Sequence, residues 1–347
     1  MNAHVNPDNI CPRGNRPTIE VQKGELHNLA TDAETALIRA GAPFYVRGGQ
    51  IVRPIVDLGK TRCGADTQVL RMTRVELYNM IDHMSRSAAW AKFDGRKKGL
   101  VPIDPPKEVA SILLARDGEW KFPAICGVIA TQTLRADGSL LTRPGFDPAT
   151  RLLLHNPPPI PPIPASPTRA DAERALQLLL SLLDEFPFVD DASRSVALSA
   201  LITPVVRGAM AVAPLHAMTA PTAGTGKSFI VDIASVIATG DLPDSLAIAP
   251  KFEETAKTLD GAVLDGRAII SIDNVNGELG GDKLCQMVER PVIGVRRLGG
   301  SDIIRVESRA TVFANGNNLR LIADMTRRTI LCSLDAKLER PEEREFS

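Results

Sequence analysis

The sequence predicts an α/β fold in which helices cover a parallel sheet, preceded by a smaller α+β domain. Three observations predict it. From residue 215 onward, strand, glycine loop, helix and strand follow one another. The strands are continuous apolar runs, as in sheets buried on both faces. A proline-rich segment, residues 157–167, separates this half from a first half with a different pattern. A length of 347 residues suits two domains of about 150 residues each.

Composition narrows the class further. Hydrophobic residues at 44% and charged residues at 24% exclude a disordered chain, a collagen-like repeat and a coiled-coil rod. Forty-one basic residues balance forty-one acidic ones, so any nucleic-acid contact must come from a local patch. Cys11, Cys63, Cys126, Cys285 and Cys332 are far apart, with no CxxC pair, and the histidines are scattered. Reduced thiols are therefore expected, rather than a zinc site or a disulfide framework. The N-terminus lacks a charged region followed by an apolar stretch, so no signal peptide is expected. Pro204, Arg207, Pro214 and His216 interrupt Val196 to Ala220, the nearest approach to a membrane span. It reads as a buried helix followed by a buried strand, which implies a cytoplasmic protein without a membrane partner.

Four segments follow from the local signals. Residues 1–20 read as a loose polar tail, and residues 21–156 as a small α+β domain of unknown role. In it, helical spacing over 29–41 ends at Gly41, and Gly48-Gly49 joins the two arms of a hairpin. Further helices are expected over Thr73–Ala91 and Pro106–Arg116. Seven prolines in residues 157–167 make a stiff extended linker, with an SH3-type ligand as the alternative. From 168 to 347 runs the α/β domain. It starts on a capping-box-like Thr168–Asp171, with Leu176, Leu179, Leu180, Leu183 and Phe186 on one helix face. A second helix is expected from about Ala192 to Arg207.

The chemistry concentrates after residue 215. The apolar run Leu215–Ala220 enters Pro221-Thr222-Ala223-Gly224-Thr225-Gly226-Lys227-Ser228, then a helix beginning at Phe229. Strand, glycine loop, Lys-Ser and helix in that order form a phosphate cradle, because loop N–H groups and the helix N-terminus face the anion. Lys227 supplies charge to the β- and γ-phosphates of ATP, and the Ser228 hydroxyl is a Mg²⁺ ligand. Pro221 stands where the first glycine of GxxxxGK[ST] belongs. A second apolar run, Arg267 to Ile272, ends in Asp273, which reads either as a Mg²⁺ carboxylate or as a polar turn. Asn274 follows where a base would stand, so either Glu278 or Glu289 substitutes or turnover is slow. Residues 291–297 and 302–306 flank Leu298-Gly-Gly-Ser301 as a hairpin carrying Arg296, Arg297 and Arg305. It is a nucleic-acid finger or a solvated edge. A third strand over 309–314 is expected to end in Asn315-Gly-Asn-Asn318, and a fourth over 329–334 follows Asp324-Met-Thr-Arg-Arg328.

GTGKS at 224–228, IISIDN at 269–274, the hairpin, FANGNN at 313–318 and DMTRRTILCSL at 324–334 together resemble an AAA+ ATPase core. The hairpin before FANGNN is similar to superfamily 3 helicases and to phage- and mobile-element-type primase–helicases, over about residues 170–340. The resemblance implies a P-loop NTPase core with a helical N-terminal subdomain. It also implies an ATP-dependent DNA helicase or translocase of a replication module, acting on single-stranded or forked DNA. Residue by residue, it implies Lys227 and Ser228 as the Walker A pair, Asp273 as the Walker B acid, and Asn317 or Asn318 as sensor 1. Arg327 or Arg328 matches an arginine finger, which implies a homo-oligomeric ring, usually a hexamer; the alternative is pairing with local acids. The chain ends soon after the last core strand, so the family's lid is expected to be absent or truncated. A protein remodeller or loader and a non-catalytic ATP switch are the rival readings. No primase triad of acids is evident in residues 1–156. Residues 60–98 hold nine basic residues against four acidic ones, with Trp90 and Phe93 as candidate base-stacking rings or core residues.

Overall fold

The computed structural model describes residues 16–60, 66–164, 166–247, 252–296 and 302–343; Cys11, Cys63 and Arg297 lie outside them. The chain divides into two units. One takes residues up to Ile55 and Met72–Ile125; the other takes Val56–Arg71 and everything from Cys126 onward. The division thus falls at Ile125, ahead of the proline-rich segment where the sequence suggests it.

The first unit contains β1 (Thr18–Glu20), α1 (Leu26–Arg39), β2 (Tyr45–Arg47), β3 (Gln50–Lys60), β4 (Asp66–Arg74), α2 (Leu77–Ser87), β5 (Ala89–Asp94), β6 (Gly99–Pro102) and α3 (Lys107–Ala115), apart from the outer parts of β3 and β4. Leu29, Leu37, Met80, Met84, Val109 and Leu113 bring the three helices around one core. Gly48 and Gly49 take φ of 54° and 63° in the β2–β3 turn, the mirror-image turn that suits strand twist. The single helix expected over Thr73–Ala91 resolves into the end of β4, α2 and the start of β5. Glu76 and Asn79 close a capping box that begins the helix at Leu77. Ala89–Ala91 instead pair in parallel with Thr18–Glu20. Trp90 is buried and its Nε1 donates to Met84 O at 3.2 Å, so it is a core residue.

The second unit begins with β7 (Gly127–Ile129), β8 (Thr133–Leu134), β9 (Leu140–Leu141), β10 (Gly145–Asp147) and β11 (Leu152–Leu154), followed by α4 (Arg169–Ser181) and α5 (Asp191–Val206). The short strands belong here because their polar groups are satisfied here. Thr133 Oγ1 donates to Val205 O at 2.7 Å, and Val128 N donates to Gly266 O at 3.4 Å. Thr168 caps α4 through the reciprocal bonds expected with Asp171. The helix ends at Ser181, however, before Leu183 and Phe186, and none of its residues is buried. Leu183 is instead buried with α5, in the loop that follows.

The sheet is formed by β12 (Leu215–Ala220), β13 (Ser245–Ala247), β14 (Ile269–Asp273), β18 (Thr311–Asn317) and β20 (Thr329–Ser333). Between them lie α6 (Lys227–Thr239), α7 (Phe252–Leu264), β15 (Glu278–Leu279), α8 (Asp282–Glu289), β16 (Val292–Arg296), β17 (Ile303–Glu307) and β19 (Arg320–Leu321). The five sheet strands lie in the order β13-β14-β18-β12-β20, all parallel. Alternate side chains face opposite layers, as the two-residue period of a strand requires. Leu215, Ala217, Ile270, Ile272, Val312 and Ala314 pack toward α7, α8 and the β16–β17 hairpin. Met218, Ala220, Ile269 and Phe313 pack toward α5 and α6. Both faces are covered, so the fold is α/β. Among the described residues, no helix is long and apolar enough to cross a membrane.

His216 on the central strand is fully buried, and its Nε2 lies 3.1 Å from Ser199 Oγ. Burial pushes its pKa down to about 4 from an ordinary 6.5. Because the folded state resists protonation, the unfolded state takes up the proton first as pH falls through 6.5. Stability is thereby lost down to about pH 4. This histidine alone is expected to remove about 1.5 kcal/mol between pH 6.5 and about pH 5. Urea midpoints of wild type and His216→Asn at the two pH values check this; equal pH slopes would contradict it.

Candidate functional site

The carboxyl edge of the parallel sheet gathers the sequence motifs. β12 has neighbours that leave the sheet in different directions of chain order, and such a switch point opens a crevice beyond the strand ends. The loop 221–226 fills that position. Gly224 and Gly226 take φ of 75° and 97°, and Gly226 is the residue that launches α6. A side chain at Gly226 would be strained by its φ, and its Cβ would stand 2.9 Å from the Phe186 ring. Phe186 in turn stacks on Phe229, with centroids 6.2 Å apart.

Lys227 is 8% exposed. Its Nζ donates to Thr222 O at 2.9 Å and to Thr225 Oγ1 at 3.2 Å, which holds the ammonium against the loop backbone. Burial lowers its pKa, and the Asp273 carboxylate opposes that shift. Asp273, at the end of β14, accepts from Ser245 Oγ at 3.2 Å and from the Asn274 backbone N–H at 2.8 Å. Ser228 is exposed in the first turn of α6. Ser228 and Asp273 offer one hydroxyl and one carboxylate, a hard-oxygen set that fits Mg²⁺, which keeps several ligands from water and phosphate.

The third strand runs past its expected bound at residue 314. β18 continues through Asn317, so Asn315 and Asn317 are strand residues. Being two apart, they share the face that Phe313 turns to the α6 layer. Asn317 pairs in register with Ala220, at the root of the glycine loop. Its Oδ1 is buried and has no hydrogen-bond partner among the described residues. Asn318 instead braces the loop: its N–H donates to Ala220 O at 2.9 Å and its Nδ2 to Pro221 O at 3.4 Å. Asn315, not singled out in the sequence, is buried and accepts from Asn274 N at 3.4 Å through Oδ1. Its two-residue spacing from Asn317 was the available signal. Ser245 carried none, because its contact depends on β13 lying beside β14.

No protein-family model and no curated protein matches this chain. The residues of the site therefore stand on their own geometry.

The arginine pair and one of the two candidate bases lie at the other end of the sheet. Arg328 O accepts from Leu215 N, which puts Arg327 and Arg328 at the amino edge of the sheet. That edge is one six-residue strand, about 20 Å, from the loop. Arg328 is 14% exposed and its guanidinium binds Glu289 at 2.8 Å and Asp324 at 3.0 Å. Among the described residues Arg327 pairs only with Asp324, at 3.1 Å, and it is 67% exposed. Of the two, Arg327 is the one presented outward. Glu289 is consumed by Arg328 at that same far edge, so it is no substitute base beside Asp273. Glu278 is exposed and 3.6 Å from Arg320.

The β16–β17 hairpin is antiparallel, with Gly294 opposite Arg305 and Arg296 opposite Ile303. Ile293, Val295 and Val306 bury one face in the core. Arg296, Ile303 and Arg305 lie exposed on the other. Asp260 of α7 anchors the ribbon by accepting the Arg296 backbone N–H at 2.9 Å and pairing with Lys283.

Proposed function

We propose that the second unit is an ATP-dependent motor ATPase of the DNA helicase or translocase type. The observation that carries this reading is that the glycine loop bearing Lys227 follows β12 and Asp273 ends β14, both at the carboxyl edge of one parallel sheet. On β18, the strand between β12 and β14, the unpartnered Asn317 Oδ1 is aligned with the loop root. In this reading the loop amides and the α6 N-terminus hold the phosphates of ATP, and Lys227 neutralises charge that grows on the transferring group. Mg²⁺, held by Ser228 and Asp273, supplies further neutralisation of phosphate charge when bound. Asn317 orients the attacking water, and Asn318 fixes the loop that receives the nucleotide. Arg327 serves a neighbouring copy in a ring, which suits its place at the far edge. Arg296, Arg297 and Arg305 track single-stranded DNA.

A second reading, an ATP-dependent switch with slow or no turnover, draws on Asn274. It has φ of 55° directly after Asp273, and its amide orients water without accepting a proton. ATP hydrolysis measured with and without single-stranded DNA separates the two. The motor gives DNA-stimulated turnover; the switch gives tight ATP binding and none. With Arg296→Gln and Arg305→Gln together, the stimulation by DNA is expected to vanish. Undiminished stimulation would remove the hairpin from the mechanism.

A further inference from the structure

The basic stretch of the first unit is left unused by the reading above. β1 ends at Glu20, opposite Ala91, whereas the β5–β6 pairing continues through Lys92–Val101, Phe93–Leu100 and Asp94–Gly99. The outer half of this hairpin therefore extends as a two-stranded ribbon past the end of β1. Its turn carries Arg96, Lys97 and Lys98, all exposed, and Lys92 is exposed on the ribbon itself. Among the described residues, no carboxylate forms an ion pair with any of these four. The one nearby acid, Asp94, accepts the Arg96 backbone N–H at 2.9 Å and so shapes the turn. Phe93 is 61% exposed and Leu100 49%. As a directly opposed pair they share one face of the ribbon.

We propose that this ribbon binds single-stranded nucleic acid, with phosphates on Arg96, Lys97 and Lys98 at the turn and an unstacked base on the Phe93 ring. Cations flanking an exposed aromatic ring are the chemistry of sequence-tolerant single-strand binding. A duplex keeps its bases stacked and offers the ring nothing. A hairpin that enters a bilayer presents apolar residues at its tip, whereas here the tip is charged and the apolar pair lies behind it on the flank. That arrangement suits a strand running along the ribbon. The site is in the first unit and does not depend on ATP binding by the second.

Fluorescence anisotropy of labelled oligo(dT) and oligo(rU) with the full chain, without nucleotide, tests this. Phe93→Ala is expected to weaken binding about ten-fold, and Phe93→Trp to preserve it. The triple change of Arg96, Lys97 and Lys98 to Gln is expected to lower the slope of log K against log salt by about 2. Ultraviolet crosslinking of the wild type is expected to mark the peptide containing Phe93, independently of any variant's folding. Loss with dT alone or with rU alone assigns the ribbon to DNA or to RNA. Unchanged affinity and salt slope in both variants, crosslinks confined to other peptides, or Phe93-dependent binding to phosphatidylserine vesicles in place of oligonucleotide would each overturn it.

Discussion

Lys227→Ala is expected to lower ATP turnover by about 10²–10³-fold, the cost of removing one preorganised charge from a transferring phosphoryl group. The ammonium is already positioned by Thr222 O and Thr225 Oγ1, so little reorganisation separates its present place from a phosphate contact. Burial makes it a less comfortable cation than a surface lysine. A phosphate anion relieves that, which couples nucleotide affinity to the Lys227 charge. Affinity should therefore decline toward alkaline pH earlier than for an exposed lysine. Arginine is not an adequate replacement, because its planar fork does not fit a point-charge position enclosed by the loop. The measurement is phosphate release by wild type and variant of equal thermal stability. Equal rates would mean that any activity in the preparation does not come from this loop.

Gly316→Ala is expected to be the most disruptive single-methyl change in the site. A Cβ there would stand 2.0 Å from Val275 O and 2.8 Å from Val275 C, both backbone atoms that cannot rotate aside. The φ of Gly316 is not in the left-handed region, so the cost is contact alone. Either β18 or the segment after Asp273 must move. Overpacking of this kind costs about 3 kcal/mol, which lowers the melting temperature of a domain this size by roughly 6–12 °C. The same shift would separate Asn315 from Asn274 and disturb the Asp273 edge, so nucleotide binding should weaken in the folded fraction as well. A melting temperature within about 2 °C of wild type would show that the backbone gives way more easily than the geometry implies.

How much of this was legible beforehand depended on the range of the interactions. The start of α6 at Lys227, its stop at Gly240 and the capping of α4 by Thr168 are set by glycine conformations or by a side chain three residues away. Such signals lie within one turn of chain; the Thr168 cap was read correctly, and the helix expected from Phe229 begins two residues earlier, at Lys227. The helix expected over Thr73–Ala91 failed because Ala89–Ala91 pair with residues some 70 positions earlier, which no local pattern reveals. Leu183 and Phe186 kept a helical spacing but were claimed by α5 and the glycine loop. The third strand was bounded at residue 314 because asparagine and glycine favour turns over strands. Pairing with β14 stops at Ala314, and pairing with β12 alone holds the run in the sheet as far as Asn317.

The sequence by itself determined the α/β class and the order of strand, glycine loop and acid-ending strand, and it singled out Lys227, Ser228 and Asp273 as candidates. These follow from composition, periodicity and residue chemistry, which are properties of neighbours along the chain. Only the tertiary structure decided that β18 lies between β12, which enters the Lys227 loop, and β14, which ends in Asp273, and that Asn317 rather than Asn318 has the unpartnered oxygen. It alone separated Arg327 from Arg328, through Glu289, and Phe93 from Trp90, through burial. Each pair is adjacent or nearly so in sequence and chemically alike. What distinguishes its members is which distant groups surround them, and burial and pairing of that kind arise only when the chain closes on itself.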